Sequence, residues 1–152
     1  MEKRNVQISL EQAREWYHND CGILRRLALG AFTEEELTEP QAFEEVCQKL
    51  EIGGLNLCWK SPQEKVSKVM DRTRVSLKLG LIAAYFNKDW QPEINGRKYF
   101  IAQGISNCPS AVKLENGFSV IRHDTVIYPG ITYFKDQESA IKAFNMLKDE
   151  LR

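Results

Sequence analysis

The sequence predicts an α+β fold: a helical N-terminal half followed by a small antiparallel sheet packed with a central and a C-terminal helix. Three observations predict it. Helix caps and apolar stripes at 3.6-residue spacing recur up to residue 87. Beyond Pro92 the pattern becomes aromatic and strand-like, punctuated by Asn-Gly and Pro-Gly. The chain then closes on an Asp-capped amphipathic helix. Leu79 to Ile101, LGLIAAYFNKDWQPEINGRKYFI, holds the transition in one stretch, an apolar helix delivered into a strand through an Asn-Lys-Asp-Trp-Gln-Pro stop.

Taken in order, Ser9 with Gln12 has capping-box spacing, and Leu10, Ala13, Trp16 and Tyr17 then share one helical face. Asp20 is placed to cap a second helix burying Ile23, Leu24, Leu27 and Ala28, with Gly30 ending it. Thr33 and Glu36 repeat the box, and Pro40 suits the first turn of a helix with Ala42, Phe43, Val46, Cys47 and Leu50 as its stripe. Gly53-Gly54 closes that helix, and Leu55 to Trp59 reads as a short extended or turn segment. Ser61-Pro62 opens the central helix, amphipathic through Val66, Val69 and Met70. From Val75 to Phe86 it is apolar on most faces, which predicts burial in the middle of a domain. Pro92 pushes Gln91 out of the helical region and ends the run.

Asn95-Gly96 marks a hairpin or turn. Lys98–Gln103, Phe118–Arg122 and Ile131–Phe134 are the best strands, and Asn116-Gly117 joins a weaker strand at Ala111–Glu115 to the second of them. His123-Asp124 and Pro129-Gly130 mark loops. Asp136 caps the last helix, with Ala140, Ile141, Phe144, Leu147 and Leu151 on one face. With no repeat or linker, residues 1–152 read as a single α+β domain, helical over about 8–87, with sheet and C-terminal helix over about 97–151.

Composition narrows the function classes. Charged residues make up 28% and hydrophobic ones 43%, an ordinary globular profile. Lys+Arg and Asp+Glu both number 21, so the whole chain offers no electrostatic argument for nucleic acid or an anionic membrane. MEKRNVQISL lacks the apolar core of a secretory signal, and no apolar run approaches a membrane span. The expectation is a cytoplasmic protein with reduced thiols and no membrane partner.

Three segments carry a resemblance. Ile8 to Leu37, ISLEQAREWYHNDCGILRRLALGAFTEEEL, resembles the opening module of small uncharacterised proteins of phages and mobile elements of gut bacteria. Leu79 to Ile101 is similar to the middle of those proteins, where an apolar helix leads into Asn-x-x-Trp-x-Pro and a Lys-Tyr strand. Tyr133 to Leu151, YFKDQESAIKAFNMLKDEL, resembles their closing strand and helix. Together these cover roughly half of the chain. The resemblance implies an accessory role and brings no established activity, catalytic residues or cofactor. One departure is Ile94, which stands where such proteins often place a second aromatic after the Trp-x-Pro.

Few residues combine into a chemical site. His18 and Cys21 with Cys47 and Cys58 would supply a tetrahedral zinc set, but no Cys-x-x-Cys or His-x-x-x-His pair is present, and ordinary thiols are the simpler reading. Cys108 with His123, and Asp124 as orienter, would make a thiolate nucleophile if imidazole and thiol met. Cys108-Pro109 has no helix-start or glycine-rich context to activate the thiol. No glycine fingerprint for phosphate occurs; Gly53-Gly54 leads into Leu-Asn-Leu. Glu34–Glu36 and Glu44-Glu45 read as solvated helix faces. No metal and no cofactor is expected.

Charge is unevenly distributed. Ala31–Glu51 carries seven acidic residues and one Lys, whereas Lys60–Gly80 carries six basic residues against Glu64 and Asp71. Lys65, Lys68 and Arg72 share one helix face, with Arg74 and Lys78 following. That face could contact phosphates, with Trp90, Tyr99 or Tyr133 available to stack on bases; the plainer alternative is a face turned to the acidic helix or to water. The leading expectation is a non-enzymatic accessory or interaction protein of phage or mobile-element type with a protein partner. Nucleic-acid binding through the basic face is the alternative, and a Cys-dependent hydrolase or transferase is a second alternative.

Overall fold

Ser9 starts the first helix as its sequence demands, its hydroxyl accepting the Gln12 amide at 3.2 Å. The computed structural model describes residues 7–19, 22–52, 63–104 and 108–151. The chain is organised in two compact units, Met1–Pro40 and Gln41–Arg152. The boundary falls inside the helical half rather than at the transition from helix to sheet.

The first unit contains α1 (Leu10–Asn19), α2 (Ile23–Ala31) and the single turn α3 (Glu34–Leu37). Ala13, Tyr17, Ala28 and Leu37 form its core, with Leu10, Trp16 and Phe32 packed around them. Arg14 ties α1 to α3 by donating Nε and Nη2 to the Glu36 carbonyl at 2.8 and 2.6 Å and Nη2 to Glu39 at 3.2 Å. The Tyr17 hydroxyl reaches Glu34 at 2.7 Å. The Thr33–Glu36 capping box is complete in both directions.

Helix α2 departs from expectation. Of the four positions assigned to its buried face only Ala28 is buried; Ile23 is 76% exposed, and Leu24 and Leu27 are exposed as well. The small side chains of Ala13 and Ala28, both fully buried, form the shared core of α1 and α2, and no other described residue of the unit covers the larger ones. Gly30 lies within the helix, which closes one residue later through the Phe32 amide on the Ala28 carbonyl at 2.9 Å. Asp20, the expected cap, lies outside the described residues, as do Gly53-Gly54, Leu55–Trp59 and Ser61-Pro62.

The second unit runs α4 (Phe43–Lys49), α5 (Glu64–Asn87), β1 (Lys98–Gln103), β2 (Ala111–Lys113), β3 (Phe118–His123) and α6 (Gln137–Leu147). The sheet is antiparallel with order β1-β3-β2. Asn116 (φ 56°) and Gly117 (φ 74°) make the left-handed turn that returns β2 into β3, the conformation Asn-Gly favours. The Asp136 carboxylate caps α6 by accepting the Ser139 amide at 2.7 Å. Phe43, Val46, Ile82, Phe86, Val120, Phe134, Ala140 and Leu147 lie in one core, to which α4, α5, the sheet and α6 all contribute.

Three expectations change here. Pro40 does not enter α4, which begins at Phe43 with Ala42 as its N-cap. Helix α5 is not buried all round: Val66, Val69 and Leu77 are exposed, while Ile82, Ala83 and Phe86 are buried. Length explains this. A helix of 24 residues spans about 36 Å, whereas a six-residue strand spans about 20 Å, so only part of α5 has sheet and α6 to pack against. Third, Ile131–Phe134 is no strand. A turn through Pro129-Gly130 (Gly130 φ 81°) delivers the chain to the sheet late, and only Phe134 bridges Tyr99.

Beyond α5, Lys88 takes a left-handed φ of 52°. Asn87 holds the segment before α6, donating to the Tyr133 carbonyl at 2.8 Å and accepting the Lys135 amide at 3.0 Å. Lys98 is fully buried; its ammonium donates to the carbonyls of Glu93, Gly96 and Thr125 at 2.8, 2.9 and 3.1 Å. It pins the Asn95-Gly96 turn to the loop after β3.

Candidate functional site

The position of β1 at the end of the sheet creates the site. The Tyr99 amide donates to the Phe134 carbonyl at 3.0 Å and the Phe134 amide to the Tyr99 carbonyl at 2.8 Å, so the backbone of Tyr99 faces away from β3. A strand alternates with period two, and Ile101 and Gln103 therefore present their N–H and C=O groups to the same outer edge. Among the described residues no donor or acceptor meets them there. Sheet edges in proteins are commonly blunted by Lys, Pro or a bulge, and neither of these two positions carries one.

Facing this edge, a cleft of about 690 Å³ opens between β1 and the stretch of α5 from Lys68 to Leu79. Val75, Leu79, Ile101, Ile131 and Phe134 give it apolar walls, and Lys68, Asp71, Arg72 and Glu150 line it with charge. The volume lies within the range of ordinary ligand sites. Part of the charge is already matched: Asp71 pairs with Arg74, and Glu150 accepts Lys78 at 2.6 Å. Lys68 pairs with Glu64 at 2.7 Å, with both side chains well exposed. Arg72 has no ion-pair partner among the described residues.

The basic face is thus divided. Lys65, Lys68 and Arg72 are exposed on α5. Arg74 is half-buried against Asp71, and Lys78 is held between Glu150 and the Phe43 ring, 4.9 Å from its centroid. Those two cations serve the fold. The aromatic patch also separates. Tyr133 is buried, its hydroxyl accepting the Tyr128 amide at 3.0 Å and its ring edge-on to Phe100, so it has no free face for a base. Tyr99 is half-buried against the core, and Trp90 is half-buried. Ile94, at the aromatic position of the resembled proteins, is 70% exposed.

The proposed nucleophile is not assembled. The Cys108 sulfur lies 3.2 Å from the Ser110 hydroxyl, and this contact, with the Ser110 amide, holds its thiol below the usual range. The His123 ring neighbours Thr125, Phe100 and Tyr128 instead. Asp124 is taken by Arg122, whose guanidinium holds the carboxyl below the ordinary carboxylate value. Of the zinc set, Cys21 and Cys58 lie outside the described residues, His18 stacks edge-on to Tyr17, and burial pushes the Cys47 thiol up. Among the described residues no cluster of three or more His, Cys, Asp or Glu is arranged for a metal, and no helix is long and apolar enough to cross a membrane.

Ile101 and Gln103 were the positions sequence reading passed over. Alternation within KYFIAQ groups them on one side, but whether a strand lies at an edge or in the middle of a sheet depends on the other strands. No family model matches the chain, and comparison with curated proteins and with solved structures yields no significant match.

Proposed function

We propose that the protein is a non-enzymatic accessory protein that works by binding a protein partner, as the resemblance to phage and mobile-element proteins implies. The observation that supports this reading is the cleft of the second unit, where apolar walls lie beside backbone groups of Ile101 and Gln103 and an Arg72 guanidinium that meet no partner among the described residues. Apolar walls are costly to leave in water, and an open strand edge is a template for pairing, so a partner can cover both together. Its test is selection of displayed random dodecapeptides on the immobilised protein, with Ser76→Trp as the blocked control. Ser76 lines the cleft from an exposed position, so the indole fills the cleft without disturbing the core. Peptides enriched on the native protein and lost on the variant support the reading; equal enrichment on both contradicts it.

A second reading, nucleic-acid binding, is favoured by the shared exposure of Lys65, Lys68 and Arg72. Three phosphate contacts would give log K a slope of about −2.7 against log salt on duplex DNA. Anisotropy with labelled DNA and RNA at low salt tests it. Charge reversal at the three residues abolishes a genuine interaction across all sequences, and absence of binding at low salt removes this reading.

A further inference from the structure

We infer that the cleft takes an extended peptide segment of the partner as an added strand on the open edge of β1, with alternate apolar side chains and an acidic residue at one end. This rests on the interaction reading and names its mode. Ile101 and Gln103 offer two donors and two acceptors in a row at strand spacing, and an extended backbone matches that pattern. An acyl chain of the right volume would fill the apolar space but leave those four groups unmet, at the cost that attends any buried polar group without a partner. The Tyr99–Phe134 bridge shows the edge already accepting one residue of a neighbouring segment in antiparallel sense. On the other side of that bridge Gly130 to Thr132 line the cleft without pairing to β1, leaving the edge uncovered where a second segment can lie.

Side chains on one face of an added strand would meet Leu79, Ile101 and Phe134, which are apolar and lie on the core side of the cleft. Charge selects the flank. The two carboxylates on the rim are held by Arg74 and Lys78, which leaves Arg72 as the cation in excess, with Lys68 one helical turn away. A carboxylate at the end of the segment nearest α5 answers that charge; a basic flank would be repelled.

The test uses fluorescein-labelled heptapeptides with valine at alternate positions and two aspartates at one end, synthesised in both chain directions. Anisotropy is expected to show micromolar binding for one direction, weakened at least fivefold by Arg72→Glu, whose side chain is exposed and outside the core. N-methylation of one alternate set of peptide amides should abolish binding while methylation of the other set leaves it unchanged, a control that does not alter the protein. Amide exchange at Ile101 and Gln103 should slow at least tenfold in the complex, with Ala102, already turned toward β3, unaffected. Absence of binding by both peptides overturns the inference. So does binding that leaves Ile101 and Gln103 unprotected, an outcome that would retain a peptide-binding cleft without the added strand. Protection that appears on raising the concentration of the protein alone, with a doubled mass in sedimentation, would assign the edge to a second copy and also overturn it.

Discussion

Lys98 shows how backbone carbonyls can hold a buried ammonium. Its three donors meet three backbone carbonyls, so each N–H lost to water is replaced. Lys98→Met keeps the stem and removes all three bonds, and it should cost about 3 kcal/mol, the upper end for stranding buried acceptors. The urea midpoint measures this, and a change under 1 kcal/mol would mean water replaces the ammonium. Glu36 gives a pH prediction. Its carboxylate accepts the Thr33 amide and hydroxyl, which holds its pKa below the ordinary 4.5. A depressed carboxylate adds stability that is fully present above the unfolded value and is lost as pH falls through the folded one. The Thr33 amide resonance should therefore shift only below about pH 4.5, and Glu36→Gln should remove that titration. Cys108 and Cys47 diverge in the same way: with Cys21 and Cys58 replaced by Ser, iodoacetamide should label Cys108 first, because its thiol is held low and that of Cys47 is raised by burial.

Among the elements, α5 carries two kinds of helix in one. Residues Ile82, Ala83 and Phe86 are buried, while Val66 and Val69 face outward. Local stability follows burial, so amides over residues 67–74 should exchange faster than those over 80–87. Uniform protection would mean the first half is covered in solution. Helix α6 depends on its cap, and Asp136→Ala should cost about 1 kcal/mol. The elements legible in the sequence were those with local causes: the caps at Ser9, Thr33 and Asp136, the Asn116-Gly117 turn, and the strands Lys98–Gln103 and Phe118–Arg122, the latter extending to His123. Those misread depended on neighbours. Ile131–Phe134 has the composition of a strand but reaches the edge at one residue, and the apolar side of α2 finds no larger element among the described residues of its unit to bury it. The basic stripe was legible as a helix face. Arg74 had its partner Asp71 one helical turn away, a local signal, but the tie of Lys78 to Glu150, 72 residues on, was not legible.

At the scale of the molecule, the functional account concentrates in the second unit. Its three-stranded sheet ends in the short strand β2 on one side and in the longer β1 on the other, where the Ile101 and Gln103 edge lies beside a basic helix whose nearby carboxylates Asp71 and Glu150 are engaged. The measurement that tests this most directly is hydrogen exchange of the β1 amides in the free protein, followed by NMR. The account predicts that Ile101 and Gln103 exchange about 100-fold faster than Phe100 and Ala102, which are turned toward β3, and than Tyr99, which is bonded to Phe134. Slow exchange at all five positions in the free monomer would contradict it, since the edge would then be covered before any partner arrives.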